Sequence, residues 1–173
     1  MKELEIEIKA YCDDLEKVKH LITMLGAVYI KTAKETDQYF NHPGKDFGKT
    51  DEALRIRTVN NDSVLTYKGP KISSKSKARI EKEIDVSDET TSREILLLLG
   101  FMDSGTIIKN RDYYQLDNIT ICLDDVEGLG AFVELEQIGD DIQKIETDLF
   151  TLAANLKLDR FERKSYLELS FFL

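Results

Sequence analysis

The sequence predicts an α+β fold, an eight-stranded antiparallel sheet able to close into a barrel with helices along its outside. Three observations carry this expectation. Glu3-Leu4-Glu5-Ile6-Glu7-Ile8-Lys9 alternates strictly, with Leu4, Ile6 and Ile8 on one face and Glu3, Glu5, Glu7 and Lys9 on the other. A period of two marks a strand lying between two different environments. The pattern then recurs, as Glu-x-Glu at Glu81/Glu83 and Glu134/Glu136, and as alternating basic residues on other segments. Finally, each Glu-x-Glu segment is followed by a helix start, at Asp13, at Ser87, and at Asp140 or Asp141.

In chain order, Cys12 to Glu16 opens the first helix, with Asp13 as N-cap and Glu16 three residues on, as in a capping box. Leu15, Val18, Ile22 and Leu25 form its apolar stripe, and Gly26 ends it. His20 has no partner at ligand spacing and reads as a surface or structural residue. Val28 to Phe40 is a second strand, less cleanly alternating, closed by Asn41-His42-Pro43-Gly44 and a polar loop to Asp51. Leu54-Arg55-Ile56-Arg57 and Val64-Leu65-Thr66-Tyr67-Lys68 form a hairpin about Asn60-Asn61-Asp62.

The loop Lys71 to Lys77 is rich in Lys and Ser but lacks the Walker spacing, so it is not a P-loop. Ala78 to Ile84 alternates again, and a helix capped by Ser87 runs to Gly100. Thr106 to Leu116, Ile119 to Asp124 and Phe132 to Glu136 complete the strands, and a helix spans about Asp141 to Leu156. The tail Arg163 to Leu169 fits neither period cleanly. Asp13-Asp14-Leu15-Glu16-Lys17-Val18 matches Asp140-Asp141-Ile142-Gln143-Lys144-Ile145 line for line, which suggests two pseudo-equivalent halves.

The totals bound the function. At 173 residues the chain reads as one domain, 1–173, with a real core. A formal charge of -9 speaks against a general nucleic-acid binder, which needs a cationic surface. No apolar run reaches the roughly 18 residues of a membrane span, and Met-Lys-Glu-Leu-Glu holds no signal segment. Cys12 and Cys122 are too few for a disulfide framework, so the expectation is a reduced cytoplasmic protein.

The apolar strand faces, among them Ile6, Ile8, Ile56, Leu65, Ile80, Ile84, Val133 and Leu135, are expected to be buried under the helices. By parity the opposite face carries Glu5, Glu7, Glu81, Glu83, Asp124, Glu134 and Glu136 against Lys9, Arg55, Arg57, Lys68, Arg79, Lys109 and Arg111. Such a face is too ionic for an ordinary solvated surface and costly to bury empty. It suits an anionic, metal-bound ligand: Arg and Lys hold phosphate oxygens, while carboxylate pairs hold Mg²⁺ or Mn²⁺. An eight-stranded sheet that closes leaves room for one small ligand. The residues therefore point to a metal-dependent polyphosphate or nucleoside-triphosphate site.

Glu5-Ile6-Glu7-Ile8-Lys9 resembles the ExExK signature of the CYTH superfamily, the triphosphate tunnel metalloenzymes. Leu54-Arg55-Ile56-Arg57, Thr66-Tyr67-Lys68-Gly69-Pro70, Arg79-Ile80-Glu81-Lys82-Glu83, Lys109-Asn110-Arg111, Leu123 to Gly130 and Phe132 to Glu136 follow in the same order. Thr-Tyr-Lys-Gly-Pro and the run from Asp124 to Glu136 are most similar to class IV adenylate cyclases. That resemblance implies a β-tunnel holding ATP by its triphosphate, with cyclic AMP and pyrophosphate as products. It implies Glu5, Glu7, Glu134 and Glu136 as ligands of Mg²⁺ or Mn²⁺, with Asp124 a further one, and Lys9 and Asp124 as the catalytic pair. Lys9, Arg55, Arg57, Lys68, Arg79, Lys109 and Arg111 would grip phosphates, Glu81 and Glu83 would orient cations, and a homodimer is implied. The alternative is a triphosphatase acting on tripolyphosphate, a nucleotide or thiamine triphosphate. The last fits less well, because the chain has no Trp and Ala53-Leu54 precedes Arg55. A non-catalytic polyphosphate-binding module would gain nothing from the four metal acids.

Overall fold

The computed structural model describes residues 4–171, so Glu3 of the opening motif lies outside the described residues. Eight strands form one antiparallel sheet: β1 (Leu4–Tyr11), β2 (Val28–Asn41), β3 (Ala53–Val59), β4 (Asp62–Lys68), β5 (Glu81–Val86), β6 (Met102–Leu116), β7 (Ile119–Val126) and β8 (Gly130–Gly139). The helices are α1 (Leu15–Met24), α2 (Phe47–Thr50), α3 (Glu89–Leu98), α4 (Ile142–Asn155) and α5 (Tyr166–Ser170).

The strand order is β1-β8-β7-β6-β2-β3-β4-β5. Exchanging β1–β4 with β5–β8 reverses this list, so the sheet is built from two βαβββ halves that meet at β2 and β6. The expected repeat is therefore real but its members differ from those expected. Helix α1 corresponds to α3, whereas α4 follows the last strand. The matching hexapeptides share capping chemistry only: Asp14 accepts from the Lys17 amide and Asp141 from the Lys144 amide, each at 3.0 Å.

Two expected caps move by one residue. Asp14, in extended conformation, caps α1 in place of Asp13, which leaves Glu16 in the first turn near the positive end of the helix dipole. Asp88 caps α3 in place of Ser87 for the same reason, accepting from the Thr91 amide. The ambiguous tail forms α5, opened by a Ser165–Glu168 capping box. The strand expected from Ala78 begins only at Glu81. Residues 77–79 instead lie along β1, with Arg79 and Glu5 exchanging backbone hydrogen bonds of 3.0 and 3.1 Å and the Lys77 amide bonding the Glu7 carbonyl at 2.8 Å. This segment brings the two edges of the curled sheet together.

On the outside, Ile6, Ile8, Ile121, Leu123, Val133 and Leu135 pack under Val18 and Ile22 of α1 and Ile145, Leu149 and Leu152 of α4. Leu96 of α3 covers Phe40 and Ile56, with Leu65 at the margin. Ile84, expected in the core, is 62% exposed, because β5 is an edge strand that α3 does not cover. Leu25, expected on the α1 stripe, caps the helix and is half out. A third cluster lies inside the curl, where the inward face turns apolar at Tyr39, Ile107, Val126 and Phe132 and receives Tyr166 of α5.

Candidate active site: a charged tunnel

Period-two geometry sends one face of every strand into the curl, and strand pairing sets the charged residues level with one another. Glu7 stands opposite Glu136 and Lys9 opposite Glu134 across β1 and β8. Arg57 stands opposite Asp37, Lys68 opposite Glu81, and Arg111 opposite Asp124. The enclosed cavity is about 530 Å³. Glu5, Glu7, Lys9, Arg55, Arg57, Lys68, Arg79, Glu81, Glu83, Lys109, Arg111, Glu134 and Glu136 all line it.

Asp124 stands apart. It is fully buried behind Arg111, which it holds in a fork of 2.6 and 2.5 Å, and its second oxygen also accepts from the Tyr166 phenol at 2.7 Å. Its lone pairs point at protein groups, so its geometry is that of a support for Arg111 rather than of a metal ligand facing the lumen. Glu83 is half exposed at the rim, where it accepts from Thr66 at 2.7 Å and lies 3.5 Å from Arg55. Glu81 holds Lys68 at 2.6 Å.

Several residues were missed by the sequence reading. Glu35 and Asp37 sit on β2 at alternate positions, the same signal as Glu-x-Glu, but masked by the irregular pattern of the long strand. Asp37 grips Arg57 at 2.6 and 2.7 Å and Lys109 at 3.2 Å, while Glu35 stands 3.1 Å from both cations. Tyr113 donates to Glu35 as well. Lys77 bonds Glu7 at 2.6 Å and lies 3.8 Å from Glu134. The loop Lys gave no periodic signal, since only the backbone bridge to β1 turns it inward.

The electrostatics divide the lumen in two. Burial alone would raise the acids of β2, but Arg57 and Lys109 bring Glu35 down to about 2, and Lys109, Arg55 and Arg57 hold Asp37 well below the usual carboxylate range. Arg111, Lys77 and Lys9 overcome burial at Glu134 in the same way. Glu136 goes the opposite way. Burial, then Glu5, with Glu7 and Glu134 adding, pushes its carboxyl up to about 8. Burial likewise raises Glu5 despite Lys68. The cations Lys9 and Lys109 are lowered, by burial first and then by Lys77 and Arg111 respectively. One side of the lumen is thus a compensated lattice of ion pairs, and the side around Glu5 and Glu136 is short of positive charge.

Neither histidine lines the cavity: His20 is exposed on α1, and His42 accepts from the Gly44 amide in its turn, beside Phe47 and Phe101. Among the described residues no helix is long and apolar enough to cross a membrane.

Comparison with known proteins shows the family. The chain is 43% identical over 171 residues to a Methanocaldococcus jannaschii protein provisionally named an adenylate cyclase, covering 96% of this chain and 98% of that one. It is 27% identical over 170 residues to the adenylate cyclase CyaB of Aeromonas hydrophila, covering 94% and 86%. A solved protein of Pyrococcus horikoshii OT3 superposes with a TM-score of 0.90 at 38% identity, covering 97% and 98%. A Hippeastrum protein, described as a candidate adenylyl cyclase with a dominant triphosphatase activity, shares the fold with a TM-score of 0.68 at 19% identity, covering 98% and 94%. The CYTH domain profile matches residues 3–166, and the chain belongs to the CYTH domain family.

Proposed function

We propose that this protein is a metal-dependent adenylate cyclase that holds ATP by its triphosphate in the tunnel. The observation that carries the reading is the lumen itself: cations from β1, β3, β4, β6 and the 77–79 segment face one cavity together with carboxylates. The volume lies in the range of small-ligand sites. The relative at 43% identity, which bears a cyclase name, supports the choice of reaction.

In this reading Lys9, Arg55, Arg57, Lys68, Arg79, Lys109 and Arg111 bind the phosphate oxygens, and Asp37, Glu35 and Asp124 fix the aim of Arg57, Lys109 and Arg111. The donor set suits Mg²⁺ or Mn²⁺. Glu5, Glu7, Glu134 and Glu136 offer hard oxygens, and the raised carboxyl of Glu136 marks a shortage of positive charge. Among the described residues no three acids, histidines or cysteines are placed to hold an ion by themselves, so in this reading substrate oxygens would complete its coordination. Bound there, the ion supplies Lewis-acid polarisation of phosphate oxygens. The chemical step joins the ribose 3′-oxygen to the α-phosphorus and breaks its bond to the oxygen bridging to the β-phosphate. The hydroxyl proton passes to water and pyrophosphate leaves. The protein contributes position: the cations fix the phosphate chain so that the 3′-oxygen stands in line with the leaving oxygen.

Hydrolysis is the second reading, because the Hippeastrum protein of the same fold is described with triphosphatase activity. It needs the γ-phosphorus and a water where cyclisation needs the α-phosphorus and the ribose. Chromatography of the products from ATP with Mn²⁺ or Mg²⁺ decides between them. Cyclic AMP and pyrophosphate are expected. ADP and orthophosphate without cyclic AMP, under either metal, would overturn the cyclase reading and leave the triphosphatase.

A further inference from the structure

Lys9 differs from the other lumen cations in what holds it. Its side chain is buried, yet among the described residues no carboxylate lies within ion-pair distance of its ammonium. Its hydrogen-bond acceptor and its ring contacts are neutral, with the charges of Lys77, Glu134 and Glu7 acting on it from farther away, and the nearest contacts come from the end of the chain. The ammonium donates to the Lys164 carbonyl at 2.5 Å and sits 4.0 Å from the centre of the Tyr166 ring, with the Phe132 ring farther off at 5.7 Å. A cation over a ring face is attracted by the ring quadrupole without losing its charge. A carboxylate in that place would neutralise it. Arg111 shows the contrast, since it is forked by Asp124 and bonded to Glu134.

Tyr166 reaches Arg111 too. Its phenol donates to Asp124 at 2.7 Å in a fully buried contact, on the carboxylate that aims the guanidinium. The Ser165–Glu168 capping box fixes the turn from which the ring enters. One residue of a short C-terminal helix therefore contacts Lys9 directly, reaches Arg111 through Asp124, and has its ring centre 5.4 Å from the Lys109 ammonium.

We propose that Tyr166 is a positioning residue for the phosphate chain: its ring, with the Lys164 carbonyl, keeps Lys9 aimed into the tunnel without a carboxylate in contact with it, and its phenol steadies Arg111 through Asp124. The inference rests on the triphosphate reading of the tunnel and assigns α5 a part in anion binding beyond closing the apolar end.

The test is calorimetric binding of tripolyphosphate, with and without Mg²⁺, to the wild-type protein, to Tyr166→Phe and to Tyr166→Met. The Phe variant keeps the ring and loses the phenol; the Met variant fills the space without a ring. Desolvated cation–ring contacts are strong enough that the Met variant is expected to bind about tenfold or more weaker, and the Phe variant within about threefold of wild type. In parallel, the ε-methylene NMR signals of Lys9 should be shifted upfield in the wild-type protein and in the Phe variant, a signature that loss of packing alone does not produce. Wild-type binding that the Met variant retains in full would overturn the proposal while leaving the tunnel reading intact. Unshifted Lys9 signals in the wild-type protein would overturn it without recourse to any variant. A wild-type protein that binds no tripolyphosphate would overturn the tunnel reading and this inference together.

Discussion

Glu136 offers a quantitative handle on the metal side of the tunnel. Its carboxyl is raised from 4.5 to about 8, by burial first and by Glu5 next. Between those values the folded protein holds a proton that the unfolded chain has released, so stability falls as pH rises through the window. A fully expressed effect is about 1.4 kcal/mol for each pH unit. The side chain is only partly shielded from water, so about half that slope is expected. Glu136→Gln removes the titration. The variant should match the wild type at pH 5 and exceed it by about 2 kcal/mol at pH 8, in urea unfolding with EDTA present. Mn²⁺ should flatten the wild-type slope, since the ion displaces the proton, and leave the variant unchanged. Parallel curves for the two proteins from pH 5 to 8 would refute the argument that like charges crowd this carboxyl.

Two further outcomes follow from the same geometry. Tripolyphosphate should raise the melting temperature, because a ligand held only by the folded lumen stabilises it by mass action; at a hundred times the dissociation constant the gain is about 2.7 kcal/mol. No shift at millimolar ligand, measured by differential scanning fluorimetry with and without Mg²⁺, would count against a polyphosphate tunnel. Leu149→Ala, at a fully buried position of α4 on the outside of the sheet, should cost about 2–5 kcal/mol in urea unfolding. Turnover per folded molecule should stay unchanged, and a large loss of it would mean that the outer layer reaches into the lumen.

The sequence revealed the strands and most of the lumen because both are written in a period of two. Glu5, Arg55 and Glu136 declare their face by the Ile or Leu beside them, and Arg111 by its spacing from Ile107 and Lys109 along the same face. Glu35 and Asp37 follow the same rule, yet β2 is long and shifts register at Tyr29/Lys31 and Tyr39/Phe40, and those breaks blur its alternation. Lys77 was beyond reach by pattern, since an irregular segment turns it inward. The caps slipped by one residue where two candidates adjoin, Asp13 with Asp14 and Ser87 with Asp88. Which one caps depends on the backbone angle and not on residue type. Asp124 was placed on the right face, but parity fixes a direction and says nothing of what stands in front, which here is Arg111.

That last point bears on how such a tunnel remains folded with so many charges inside. A lumen of cations alone would repel itself, and one fully paired with acids would have no field left for a ligand. The β2 acids and Asp124 sit behind Arg57, Lys109 and Arg111, binding each from its own wall and leaving the cavity-facing side of the group to other partners. Lys9 is held from the C-terminal side by a carbonyl and a ring, neither of which places an opposite charge against it. Glu5 and Glu136 crowd one another across the paired strands β1 and β8. The apo lumen is thus close to neutral overall but locally unbalanced in two places, one short of negative charge at Lys9 and one short of positive charge at Glu136. An anionic phosphate chain carrying a divalent ion corrects both at once, and neither partner alone does so. Binding of the phosphate chain and of the ion should therefore be mutually reinforcing, by the reciprocity that links any two ligands sharing one field.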